Sequence, residues 1–146
     1  MKRHAALTGL SHDHHAALFV ALRLRRASDA TAGEVREAFH AYWDQHGRRH
    51  FREEEEILFP AYAAFGSAHH PLLARALGDH VAIRRLARAA REDGAVQVLV
   101  ELGVALEGHV RLEERELFPL IEAALPEAEL ERVGAALAAA EGAGGG

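Results

Sequence analysis

His50-Phe51-Arg52-Glu53-Glu54-Glu55-Glu56-Ile57-Leu58-Phe59-Pro60 and His109-Val110-Arg111-Leu112-Glu113-Glu114-Arg115-Glu116-Leu117-Phe118-Pro119 are two copies of one eleven-residue word. Both fit H-x-R-x-E-E-x-x-L-F-P, and seven positions are identical. The match pairs His50 with His109, Glu54 with Glu113 and Glu55 with Glu114. In each copy the histidine and the first matched glutamate are four residues apart, so on an α-helix they share one face. Such a pair is a two-point claw for a divalent transition metal. One claw is usually a surface ion pair, but two in repeat register point to an internal metal site.

The repeat extends beyond the word. Asp13-His14 matches Asp79-His80, and apolar residues follow both. His14 falls in a stripe with Leu7, Leu10, Ala17 and Ala21. His80 falls in one with Leu73, Leu77, Ile83 and Leu86 or Ala87. Imidazoles and carboxylates on inward faces are costly unless paired, hydrogen-bonded or metal-bound.

Val, Ile and Thr are sparse, period-two alternation is missing, and Ala, Leu, Glu and Arg dominate, so the chain reads as all-α. A first helix is predicted from Ser11, as N-cap, to Arg26. A second opens on Thr31-Ala32-Gly33-Glu34, in capping-box form, and runs to Phe59, where Pro60 should kink or end it. A third spans Leu72 to Arg91 behind Pro71 and stops at Asp93-Gly94. A fourth covers Val96 to Phe118 and meets Pro119. Pro126 begins a short fifth helix whose Leu130, Val133 and Leu137 form a narrow stripe against the bundle or a partner subunit. The Gly-rich residues 142–146 are expected to be disordered. Two hairpins, each with D-H on its first helix and the long word on its second, make an up-down-up-down four-helix bundle. Its centre would receive His14, His50, Glu54, His80, His109 and Glu113.

Composition narrows the chemistry. With no cysteine, thiolate metal sites, disulfides and cysteine nucleophiles are excluded, so ligands must be nitrogen and oxygen. Net charge is −5 with basic residues spread along the chain, which argues against a nucleic-acid surface. No apolar run approaches the ~20 residues of a membrane-spanning helix. The first residues lack the apolar core of a signal peptide, so a cytoplasmic location is expected.

The pattern H…HxxxE…H…HxxxE, with LFP after each HxxxEE, resembles the hemerythrin-like family of HHE cation-binding domains over about residues 10–122. The resemblance implies one such domain over residues 1–141 and a non-haem di-iron centre of two iron ions, oxo- or hydroxo-bridged. It carries the ligand roles onto His14, His50, Glu54, His80, His109 and Glu113. Oxygen-carrying hemerythrins have two histidines one turn apart on the third helix. Here the neighbours of His80 at that spacing are Ala76 and Arg84, which argues against simple oxygen carriage. The resemblance therefore implies a protein that binds or reacts with peroxide, dioxygen or nitric oxide, with a catalase- or peroxidase-like activity as its enzymatic form. The alternative is a non-catalytic module for iron storage, buffering or sensing. The partner expected is that small ligand, with neither nucleic acid nor membrane, and the chain a monomer or homodimer.

Some assignments stay open in the sequence. His15 competes with His14 as first-helix ligand, and Glu114 with Glu113 as bridge. His46, one turn before His50, is a further candidate ligand, although a supporting or surface role suits it better. Glu53, Glu55 and Glu56 read mostly as a solvated face. Trp43, Phe51, Phe59 and Phe118 read as core packing, as do Tyr42 and Tyr62. Nitrogen and oxygen ligation alone would also admit zinc, manganese or nickel.

Overall fold

The computed structural model describes residues 2–92 and 95–144, and among these all regular structure is helical, with no strand. A 3-10 turn, Ala5–Leu7, leads into α1, Thr8–Arg25. α2 runs unbroken through residues 32–65, α3 is Pro71–Glu92, α4 covers residues 96–124 and α5 is Glu127–Gly144. α1 and α3 each pack along α4 and α2, which closes the four-helix bundle. α5 crosses one end, over the 3-10 turn and α2, and buries Leu130, Val133 and Leu137 there.

Helix ends differ from the sequence expectation for identifiable reasons. α1 starts before Ser11 because the His4 side chain accepts the Ala6 N–H and launches the preceding turn. Ser11, inside the helix, instead donates its hydroxyl to Glu114 Oε2 at 2.7 Å. Thr31 makes no side-chain cap to α2; its Oγ1 accepts the Ser28 N–H and shapes the preceding turn. α5 continues through Gly142 to Gly144, where a disordered tail was expected, because its Ala138–Ala139–Ala140 run propagates helix strongly. Asp93, Gly94, Gly145 and Gly146, which were expected to stop α3 and to complete the tail, lie outside the described residues.

Neither Pro60 nor Pro119 ends its helix. Both stand two residues beyond a π-helical segment, Glu54–Leu58 in α2 and Glu113–Leu117 in α4. Phe59 N–H donates to Glu54 O, and Phe118 N–H to Glu113 O, each five residues back. The wider turn relaxes the i−4 geometry against which a proline ring normally clashes, so the helices pass through. A third π segment, Trp43–Gly47, has no counterpart in α4.

The apolar core falls into two clusters. One holds Phe39, Trp43, Phe51, Ile83, Leu102 and Leu106; the other holds Leu10, Leu58, Phe59, Leu73, Leu117 and Phe118. Each fully buried Leu or Phe contributes roughly 1.5–3 kcal/mol. Leu77, placed by spacing in the His80 stripe, is exposed.

Gly103 sets how closely α4 approaches α1. A Cβ there would lie 2.8 Å from both Ala21 O and Arg25 N, which are backbone atoms and cannot swing aside. Gly108, on the same helix, has nothing within 4 Å. Gly103→Ala should therefore destabilise the fold by about 1–3 kcal/mol through overpacking. Gly108→Ala should instead stabilise it by about 0.5–1 kcal/mol through helix propensity. Urea unfolding of the two variants checks the opposite signs; equal shifts would contradict the close approach.

Candidate metal centre

Between the two apolar clusters lies one polar layer, to which every helix of the bundle contributes. α1 supplies His14, α2 His50 and Glu54, α3 His80, and α4 His109 and Glu113. None is more than 4% exposed. They form two overlapping groups, His14, His50, Glu54 and Glu113, and Glu54, His80, His109 and Glu113. Within each group the ligand atoms lie within 4.8 Å of one another. Glu54 and Glu113 belong to both.

The layer keeps the internal symmetry of the sequence. His14 Nε2 is 3.0 Å from Glu113 Oε1, and His80 Nε2 is 3.0 Å from Glu54 Oε1. Along the helices, His50 Nε2 is 3.2 Å from Glu54 Oε2 and His109 Nε2 is 3.4 Å from Glu113 Oε2. The π turns begin at the two shared glutamates, Glu54 and Glu113. Thus the LFP half of each word holds the helix geometry while the HxxxE half presents the side chains.

All four imidazoles point Nε2 inward and Nδ1 outward onto an acid. His50 Nδ1–H donates to Asp13 and His109 Nδ1–H to Asp79, both at 3.1 Å. His14 Nδ1–H donates to Glu114 at 2.7 Å and His80 Nδ1–H to Glu55 at 2.5 Å. These outer acids fix the ring orientation and aim each Nε2 at the centre, where its lone pair would be available to a metal ion. The D-H pair therefore works across helices: its histidine enters the layer, and its aspartate orients the histidine of the neighbouring helix. Asp13→Ala and Asp79→Ala should each weaken metal affinity about 10- to 100-fold without unfolding the bundle. Competitive chelator titration measures this, and an unchanged affinity would contradict the orienting role.

Two arginines complete the rim. Arg84 donates to both oxygens of Glu55, at 2.7 and 3.2 Å, and its guanidinium lies over Phe51. Arg3 donates to the Glu114 carbonyl at 2.8 Å and to Glu122 at 2.6 Å, and lies over Phe118. Aromatic rings wall the histidines. Phe118 stacks on His14 and Phe59 on His80, one phenylalanine from each LFP, while Phe51 stacks on His80 at 3.8 Å.

Charge in the layer is strongly coupled. Burial opposes ionisation of His50, but the charge of Glu54, the bond to Asp13 and the nearby Glu113 outweigh it, raising this imidazole well above its ordinary range. Burial likewise opposes His109, and Glu113 and Asp79 raise it well above. Burial would also lift Glu113, yet His109, His14 and His50 hold it well below the ordinary carboxylate range. Glu114, despite partial burial, is held down to about 2 by His14 and Ser11. In the metal-free layer, protons on His50 and His109 offset the buried carboxylates in the way that metal ions would.

The donors fit metal ions on a second count. His50 Nε2, Glu54 Oε2 and Glu113 Oε2 are buried with no hydrogen-bond partner among the described residues. Yet His50 Nε2 and Glu54 Oε2 are only 3.2 Å apart. The two atoms are paired by charge without the geometry of a hydrogen bond, an arrangement that suits donors converging on a common ion.

Of the open alternatives, the structure brings in His14 and leaves His15 exposed against His12, with ring centroids 5.7 Å apart. It brings in Glu113 and turns Glu114 onto His14 Nδ1. His46 is exposed and outside the layer. Glu55, read as part of a solvated face, is instead the acid behind His80, and Glu53 is buried beside Arg49. The D-H and E-E repeats carried the signal for Asp13, Asp79, Glu55 and Glu114. Arg3 and Arg84 have no repeat partner, and no pattern marked them.

Fold and site together define a helical-bundle metal-binding protein. Residues 7–121 match the family model of the hemerythrin HHE cation-binding domain, and the chain belongs to that family. No curated protein and no solved structure matched it in the comparisons made. Among the described residues, no helix is long and apolar enough to cross a membrane.

Proposed function

We propose that the chain is a non-haem di-iron protein that binds or reacts with a small oxidant or gas: hydrogen peroxide, dioxygen or nitric oxide. The observation that carries this reading is the sharing of Glu54 and Glu113 by two buried groups of four donors. Two carboxylates common to both groups suit a pair of ions held side by side. Nitrogen and oxygen donors suit iron, and the family resemblance favours it.

When bound, two iron ions would supply a redox pair able to bind and reduce such a ligand. The residues do the rest. Each group of four donors would hold an ion and leave room on it for an external ligand. Phe51, Phe59 and Phe118 exclude bulk water, while Asp13, Asp79, Glu55 and Glu114 keep the imidazoles oriented. A cavity of about 380 Å³ lined by Ser11, His12, His14, His15 and Glu114 brings open space up to His14. That gives a small molecule an approach from the α1 side.

Iron-loaded protein mixed with peroxide, dioxygen or nitric oxide should change its near-ultraviolet spectrum with at least one of them. Oxygen release from peroxide over many cycles would assign a catalase-like activity. A protein that holds iron yet stays spectrally inert to all three would overturn this reading in favour of storage, buffering or sensing.

A further inference from the structure

Six of the 17 basic residues, spread along the sequence, are gathered in space. On the outer surface between α2 and α3, two adjoining cavities of about 320 and 260 Å³ share Arg48 and Arg84 as walls. Arg49 and Arg52 also line the first, and Arg88 and Arg91 the second. The six come three from each helix, at positions 48, 49 and 52 facing 84, 88 and 91. Asp44 is the one carboxylate among the lining residues of the two cavities. In a chain of net charge −5 this groove is a local reversal of sign.

Arg84 is held by Glu55 and Arg49 by the buried Glu53, but the other four arginines are only loosely neutralised. Asp44 is divided between Arg48 and Arg91, at 3.2 Å from each. Arg88 reaches Glu92 while 82% exposed, and such solvent-facing pairs hold weakly. Arg52 has no ion pair or hydrogen bond among the described residues. Like charges held across a groove repel, so an anion is favoured there. The planar guanidinium fork matches phosphate oxygens two at a time, and forks from two helices can grip one group from both sides. Cavities of this size suit a small molecule rather than a helix or a duplex.

We propose that this arginine groove binds a small soluble anion carrying a diphosphate group. The site is separate from the metal layer. Arg84, however, also holds Glu55 behind His80, so the groove adjoins the rim of that layer. The inference does not depend on which metal the layer holds.

The test is calorimetric titration of the full-length protein, as purified, with sodium pyrophosphate at low salt. Metal content is measured before and after, so that extraction of metal is not mistaken for binding. One saturable site per chain is expected, weakened at least about tenfold in Arg52→Gln/Arg88→Gln, since losing even one of the two charge-assisted hydrogen bonds has that effect. Circular dichroism confirms that the variant keeps its helicity. ADP binding more tightly than pyrophosphate would assign a nucleotide, and equal affinity the diphosphate alone; both sustain the proposal. No saturable binding, an unaffected variant, or equal displacement by chloride at matched ionic strength would overturn it. So would tighter binding of a DNA duplex than of pyrophosphate, which would make the groove a nucleic-acid surface. None of these outcomes bears on the metal centre.

Discussion

Replacing Glu113 by glutamine should strip both metal ions from the chain, whereas replacing His80 by alanine should remove only one. The difference follows from membership. Glu113 and Glu54 belong to both donor groups, while His14 and His50 serve one and His80 and His109 the other. Glutamine keeps the volume of Glu113 but loses the charge that would neutralise two neighbouring cations. His80→Ala leaves His14, His50 and both carboxylates in place. The metal-free Glu113→Gln protein should also be less stable than its parent. Removing one partner from a buried charged set costs about 3–5 kcal/mol. Metal analysis after anaerobic ferrous loading and desalting gives the answer. Two ions per parent chain, one in His80→Ala or His14→Ala, and none in Glu113→Gln or Glu54→Gln are expected. One ion retained in Glu113→Gln would show that the carboxylates are not shared.

The second large effect is on stability. Phe51 is 2% exposed, stacks on His80 with rings 6° from parallel, and meets His109 and Trp43 edge-on. Arg84 covers it as well. Phe51→Ala should cost about 3–5 kcal/mol, the range for deleting a buried aromatic ring. It should also free His80 to leave the orientation in which Glu55 accepts its Nδ1–H. Urea unfolding of the metal-free protein measures the first effect, and a loss below about 1 kcal/mol would contradict the packing described. Phe51 has no aromatic counterpart in the second word, where Val110 occupies its position. The two halves of the layer are therefore not equally walled, and the His80 side should suffer more from losing its ring.

Much of this was legible in the sequence because helices write their faces at a fixed period. His50 and Glu54, and His109 and Glu113, are one turn apart, and the structure places each pair in the same layer. The LFP that follows each pair was equally visible, but its consequence was not. Proline reads as a break, and only a π turn, which leaves no trace in an α-periodic pattern, lets α2 and α4 continue through Pro60 and Pro119. The choices between His14 and His15, and between Glu113 and Glu114, turned on a helical phase difference of one residue. The repeat favoured His14, whose partner is His80, by a shift of only one residue, and left Glu113 and Glu114 open; the structure buries His14 and Glu113, exposes His15 and holds Glu114 at the rim. Arg3 lies over a hundred positions from Glu114, and Arg84 nearly thirty from Glu55. Such pairs exist only once the chain is folded. Gathering six arginines into one groove is likewise a product of packing α2 on α3, which no count along the chain displays.

If Glu54 and Glu113 hold two ions side by side, X-ray absorption on the iron-loaded protein should show a metal–metal scattering shell at a separation of about 3–4 Å, as in paired-metal sites, on top of the nitrogen and oxygen shells. A spectrum with only light-atom neighbours, at full iron loading, would contradict that pairing.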